Sequence, residues 1–255
     1  MSSHRGTAVI TGVGRRRSIG AGIAVGLASD GWDLVLSHWA PYDRRLGLEQ
    51  GPDDPRAIAD DCRALGRRVE LVPVDLADPE GPAALIAAAV AVGDLRALVM
   101  SHAESVDSAI LDTTVESWDR HFAVNARATW LLVKAFAETL PEVATTEVTG
   151  RVVALTSDHT AHNLPYGASK GALDRTVLAA ATELGHRGLR ANVINPGPID
   201  TGWMDDQIRS WAIGQTPAGR LGTPEDTANL VRFLLSEAGG WINGQLLFSD
   251  GGFRN

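Results

Sequence analysis

Apolar residues along the chain follow two alternating patterns. Short, nearly unbroken apolar runs predict strands at Ala8–Thr11, Asp33–Ser37, Val69–Val74, Ala97–Ser101, Val152–Ser157, Ala191–Asn195 and Gln245–Phe248. Between them, apolar residues recur at three- and four-residue intervals. These stretches predict helices over Gly20–Ser29, Pro55–Leu65, Pro79–Val92, Glu116–Leu140, Pro165–Leu184 and Pro224–Leu235. Runs such as Ala97-Leu98-Val99-Met100 suit strands covered on both faces. Regular β–α alternation predicts an α/β fold, a doubly wound, seven-stranded parallel sheet flanked by helices. No repeat, low-complexity tract or linker interrupts it, so residues 1–255 read as a single domain.

Punctuation supports these limits. Thr223-Pro224-Glu225-Asp226 offers a capping hydroxyl, a proline at the first helical position and an acid at the third. Gly185 and Gly188 can end the helix that begins near Tyr166. The least regular stretches are 38–54 and 196–223, both expected to be loops. The second follows a strand at its carboxyl end, where such folds bind ligands, and Trp203, Met204 and Trp211 suit it as a substrate loop.

Composition narrows the function. Hydrophobic residues make up 44% and charged residues 21%, as in an ordinary globular protein. A net charge of −8 argues against bulk binding to nucleic acid or an anionic membrane. The longest near-apolar stretch, 81–93, is too short to span a bilayer, and the first residues show no signal pattern. With Cys62 the single cysteine, a reducing, cytoplasmic setting is expected. The seven histidines are scattered, and no metal-ligand cluster is expected.

The first predicted strand runs into Thr11-Gly12-Val13-Gly14-Arg15-Arg16-Arg17-Ser18-Ile19-Gly20 and then a helix. Strand, glycine-rich turn and helix N-terminus form the setting of a dinucleotide site. Glycine lets backbone approach a pyrophosphate, and helix N–H groups supply positive potential. An acid at the end of the second strand would bond a ribose 2′-hydroxyl and select NAD. That place reads Leu36-Ser37-His38-Trp39, without an acid, while Arg15, Arg16, Arg17, Arg44 and Arg45 lie close by in sequence. Arginine pairs well with phosphate, so NADP(H) is expected over NAD(H).

Tyr166 and Lys170 sit four apart at the start of a helical pattern, so phenol and ammonium emerge side by side. A close cation favours the phenolate and draws a tyrosine toward acid–base work near neutral pH. Of 23 basic residues only Lys134 and Lys170 are lysine, which makes a lysine here the more informative.

Together these residues resemble the short-chain dehydrogenase/reductase family, in particular its 3-oxoacyl-carrier-protein-reductase-like branch, whose fold is the single-domain Rossmann type. The resemblance spans nearly the whole chain: Thr11-Gly12 with Gly20, Val74-Asp75-Leu76, Asn125, Ser157, Tyr166 with Lys170, Asn195-Pro196-Gly197 with Thr201, and Trp241-Ile242-Asn243-Gly244 before Asp250-Gly251-Gly252. It implies Tyr166 as general acid/base, Lys170 on the nicotinamide ribose, Ser157 on the substrate carbonyl and Asn125 on a relay water. It further implies cofactor contacts from Gly12, Arg17, Ser18, Ile19, Gly20, Asp75, Leu76, Ser101, His102, Ala103, Pro196, Gly197, Ile199 and Thr201. Asp75 would meet the adenine. Relatives of this kind assemble as homotetramers or dimers.

One check is independent of the resemblance. Trp118, Phe122, Asn125, Thr129, Leu132, Val133 and Phe136 share one helical stripe, so Asn125 interrupts an apolar face and must find hydrogen-bond partners. A structural asparagine bonding nearby backbone fits the same pattern.

Several residues depart from the family pattern. Ser18 replaces a usual glycine, and Ser18-Ile19-Gly20 resembles the enoyl-reductase relatives. Ser101-His102-Ala103-Glu104 stands where Asn-Asn-Ala-Gly is usual, placing a charged side chain near the cofactor. The stretch from Ser157 to Tyr166 is several residues shorter than usual, with Thr156 as a second candidate hydroxyl and Asp158, His159 and His162 in its loop. The resulting expectation is an NADP(H)-dependent oxidoreductase acting on a small ketone/alcohol pair. The rivals are an enoyl-reductase-like enzyme, a cofactor-free dehalogenase of the same fold, and a non-catalytic NADP(H) sensor or scaffold. Lys170 argues against the dehalogenase, in which arginine takes that place.

Overall fold

Seven apolar runs become seven parallel strands: β1 (Thr7–Thr11), β2 (Asp33–His38), β3 (Val69–Pro73), β4 (Leu95–Met100), β5 (Gly150–Leu155), β6 (Leu189–Asn195) and β7 (Leu246–Phe248). In this computed structural model, which describes residues 4–48, 51, 53–142 and 144–253, they form one sheet in the order β3-β2-β1-β4-β5-β6-β7. Helices cover both faces: α1 (Ile19–Ser29), α2 (Ala40–Arg45), α3 (Asp54–Ala64), α4 (Gly81–Val92), α5 (Val115–His121), α6 (Ala128–Glu138), α7 (Leu164–Glu183), α8 (Asp206–Gln215) and α9 (Pro224–Leu234). The result is a single-domain Rossmann-type α/β fold.

Residues of β2 show why its run is continuously apolar. Leu34 and Leu36 enter the core under α1, α3 and α9, while Val35 enters the core under α4, α6 and α7. Successive strand residues point to opposite faces, and both faces are dry. Each fully buried aliphatic side chain contributes roughly 1.5–3 kcal/mol.

The order of strands reverses beside β1, and the first βα turn lies there. Gly12 has φ 76°, and a Cβ at this residue would lie 2.7 Å from the Ser101 carbonyl oxygen, so only glycine lets the turn pack on the end of β4. Ser18 caps α1 by accepting from the Ala21 N–H at 3.1 Å. At α9, Thr223 and Asp226 form the reciprocal capping box its sequence predicts.

Three expectations about local structure are corrected. The stretch 38–54 is not all loop, because α2 forms within it and α3 begins at Asp54; residues 49, 50 and 52 lie outside the described set. The stretch 196–223 contains α8, capped by the Asp205 carboxylate. The predicted helix Glu116–Leu140 is α5, a π-helical turn at Phe122–Arg127, and α6. The apolar stripe runs on through the widened turn, so periodicity alone does not reveal it.

Candidate active site

Loops at the carboxyl ends of the strands carry the candidate residues. Ser157 follows β5, and Tyr166 lies in the first turn of α7, where Lys170 is one turn further on. Tyr166 is partly buried, and burial pushes its phenol up to about 12, while a hydrogen bond with Ser157 pulls the other way. The direct effect of a neighbouring cation, expected from the spacing, does not dominate. The Lys170 ammonium stands 5.7 Å from the centre of the Tyr166 ring and donates to the Leu155 carbonyl at 2.9 Å and the His102 carbonyl at 3.4 Å. Lys170 is 3% exposed, and burial lowers it to about 8 against an upward pull from Asp174.

Asn125 sits in the π-helical turn and is fully buried. Its amide Nδ2 donates to the Glu104 carbonyl at 2.8 Å and to Ser169 Oγ at 2.9 Å, and its Oδ1 accepts from the Glu104 N–H at 2.8 Å. Ser169 Oγ in turn donates to the Tyr166 carbonyl at 2.8 Å. Asn125 thus ties the loop after β4 to the first turns of α7. Such π-helical turns are common at functional sites.

His102, the residue after Ser101, is buried neutral. Its Nε2 faces the Val124 carbonyl at 3.0 Å and its Nδ1 faces Thr11 Oγ1 at 2.7 Å. A carbonyl can only accept, so Nε2 carries the proton and Nδ1 accepts from the threonine. Burial first, and the charge of Lys170 second, lower this imidazole to about 3.

A cavity opens over the ends of β1, β2 and β4. Gly12, Asp75, Leu76, Ser101, His102 and Ala103 line it, as the sequence reading expects of cofactor contacts. Arg17, Ser18, Ile19, Gly20, Ser157, Tyr166, Lys170, Pro196, Gly197, Ile199 and Thr201 are not in its wall. Thr201 is nonetheless tied to the glycine turn, because Arg15 Nη1 donates to its carbonyl at 3.2 Å. Gly197 takes φ 65° and donates to Asn195 Oδ1 at 3.1 Å, and Ile199 bridges to Gly222.

The arginines of the turn already hold carboxylates. Arg15 pairs with Asp43 at 3.0 Å, Arg16 with Asp61 at 2.6 Å and Arg17 with Asp200 at 2.8 Å. Arg45 pairs with Glu104, and Arg120 holds both oxygens of Asp75 at 3.0 Å and reaches Glu104 at 3.4 Å. Glu104 is 2% exposed and lines the cavity. Tyr42, Asp43 and Arg120 also line it, and sequence reasoning missed all three as site residues. Asp43 and Tyr42 sit on a six-residue helix without periodicity. Burial, then Glu104, then Tyr166 raise the Tyr42 phenol.

A family model described as Enoyl-(Acyl carrier protein) reductase matches residues 12–254. The short-chain dehydrogenase/reductase FrzI of Cladobotryum is 33% identical, across 96% of this chain and 94% of its own. The chain belongs to the short-chain dehydrogenase/reductase family. Among solved members of the short-chain dehydrogenase/reductase family, an enzyme from Burkholderia cenocepacia in complex with NADP superposes with a TM-score of 0.86 at 29% identity, covering 99% of both chains. The angucycline C-6 ketoreductase LanV with bound NADP gives a TM-score of 0.85 at 26% identity, covering 99% of this chain and 96% of LanV. This short-chain dehydrogenase/reductase is thus an oxidoreductase by family, and NADP-bound neighbours support NADP use.

No helix among the described residues is long and apolar enough to cross a membrane. Among the same residues, no group of three or more His, Cys, Asp or Glu could hold a metal ion.

Proposed function

We propose that this chain interconverts a ketone and a secondary alcohol with NADP(H), Tyr166 acting as general acid/base. The observation that carries the reading is the buried Lys170 ammonium one helical turn from Tyr166 and 5.7 Å from the centre of its ring, with Ser157 close enough to draw the phenol's titration down. A dinucleotide fits the glycine turn on a physical ground: the turn already faces an anion, the Asp43 carboxylate, which closes on Gly14. Gly12, Ser18, Ile19, Gly20, Asp75, Leu76 and the 101–103 backbone are proposed to hold the nucleotide, with Arg17, Lys170, Pro196, Gly197, Ile199 and Thr201 toward its nicotinamide end.

When bound, the nicotinamide supplies or takes up hydride at the carbonyl carbon. The protein's own groups manage the oxygen. Ser157 and Tyr166 donate hydrogen bonds to it, and Tyr166 delivers its proton as negative charge develops. Lys170 holds positive charge near the phenol and helps its reprotonation. Asn125 positions the Glu104 backbone and, through Ser169, the first turn of α7. The loop at 196–223, with α8 inside it, is proposed to cover the substrate.

The preference for NADP(H) over NAD(H) is proposed from the NADP-bound neighbours, with Arg15, now paired with Asp43, as the guanidinium a 2′-phosphate would have to draw away. Self-association as a homodimer or tetramer is proposed from exposed apolar residues such as Trp130 on α6 and Trp241. A cytoplasmic setting accords with the lone, buried thiol of Cys62.

The test is oxidation of NADPH and NADH by the purified protein across a panel of ketones. Turnover of a ketone with NADPH faster than with NADH is expected, and silence across the panel would remove the proposal. The panel includes an enoyl thioester because the matching family model carries that description. Reduction of that substrate alone would favour the enoyl-reductase reading.

A further inference from the structure

We infer that Asp43 sets the margin by which this protein distinguishes NADP(H) from NAD(H). The inference rests on the dinucleotide reading above and adds a residue to it. The sequence places no acid at the end of β2, but the fold brings one there from α2. Asp43 is 8% exposed, and one of its oxygens lies 2.6 Å from where a Cβ on Gly14 would stand. The other is 3.0 Å from Arg15 Nε. The carboxylate therefore sits over the glycine turn, in the same cavity wall as Ser37 and His38 at the end of β2.

Charge bookkeeping explains the consequence. Arg15 and Arg120 line the cavity with Asp43, Asp75 and Glu104, and Arg45 reaches in to pair with Glu104. Three guanidinium groups face three carboxylates, so the wall carries no surplus positive charge. A 2′-phosphate adds about −1.5 to −2 charges relative to a hydroxyl. It must take Arg15 from Asp43 and then face that carboxylate at close range. A ribose 2′-hydroxyl meets the opposite situation, because it donates to a carboxylate and leaves the ion pair intact. Asp43 thus favours the hydroxyl and penalises the phosphate, the repulsive half of a specificity device. Removing its charge leaves Arg15 for the phosphate.

Equilibrium titration of NADPH and NADH, followed by quenching of tryptophan fluorescence, tests this without turnover. Asp43→Asn, which keeps the shape of the side chain, is expected to shift the NADPH/NADH affinity ratio toward NADPH by about tenfold or more. Asp43→Ser is expected to shift it the same way and serves if the first variant does not fold. Arg15→Met is expected to weaken NADPH and spare NADH, and in that background Asp43→Asn should bring no gain for NADPH. An unchanged ratio in both Asp43 variants overturns the inference, as does a gain that survives the loss of Arg15. If neither nucleotide binds the wild type or any variant, the dinucleotide reading falls and takes this inference with it.

Discussion

At Tyr166 burial and hydrogen bonding oppose each other, and burial wins, leaving the phenol protonated at neutral pH with a value of about 12. A protonated phenol is ready to give its proton, which suits ketone reduction. Alcohol oxidation needs the phenolate, so its rate should rise with pH between 7 and 10, as initial rates at saturating substrate would show. Tyr166→Phe is expected to abolish turnover while leaving NADPH affinity within about threefold; equal loss of both contradicts the assigned role. His102 offers a second residue-scale test, on stability. Its folded value, about 3, lies below the ordinary 6.5, so the unfolded state binds the extra proton. Stability from this group is complete above pH 6.5 and is lost progressively as pH falls toward 3, by roughly 5 kcal/mol at the limit. Denaturant unfolding at pH 7 and pH 4.5 should therefore show a smaller acid loss in His102→Asn than in wild type. Tyr166 and Lys170 were legible because their spacing and residue types suffice to place them together. Asp43 was not, since its partners Gly14 and Arg15 lie far back in the chain and only the fold joins them.

Elements differ in how openly their sequences declare them. The helix α9 is written in Thr223-Pro224-Glu225-Asp226, and the structure builds the reciprocal cap, with Arg220 bidentate on Asp226 at 2.6 and 3.0 Å. Those hydrogen bonds hold the Asp226 carboxyl at about 2. Thr223→Ala should lower stability by about 1 kcal/mol in chemical denaturation, with α9 fraying first. An unchanged midpoint would show that packing on α1 alone holds this end. The helix α2 has no such signature. It is six residues long, starts at Ala40-Pro41, and its cap residue Trp39 makes no side-chain bond. Ion pairs to the glycine turn and to Glu104 hold it, and a reading along the chain cannot see them. The widened turn at Asn125 was hidden for another reason: an apolar stripe tolerates one extra residue per turn without losing its face.

For the whole molecule, β–α alternation made the sheet legible, because a parallel sheet buried on both faces has few other ways to read. Its strand order and the closeness of α2 to the site depend on contacts between distant residues. Large apolar residues remain on the surface, with Leu111 98% exposed and Trp241 95% exposed. If copies cover them, sedimentation velocity at micromolar concentration should show a dimer or tetramer, and Trp130→Glu should shift it toward smaller species. A monomeric wild type would end the proposed assembly. The seat of the Lys170 amine carries a last implication. Both of its oxygen partners, at Leu155 and His102, belong to the main chain. Mutational drift in the side chains at those two positions therefore leaves the amine's acceptors unchanged. The amine's berth is thus set by the path of the main chain leaving β4 and β5, while the residue types of that loop answer to other partners, such as Thr11 and Val124 at His102.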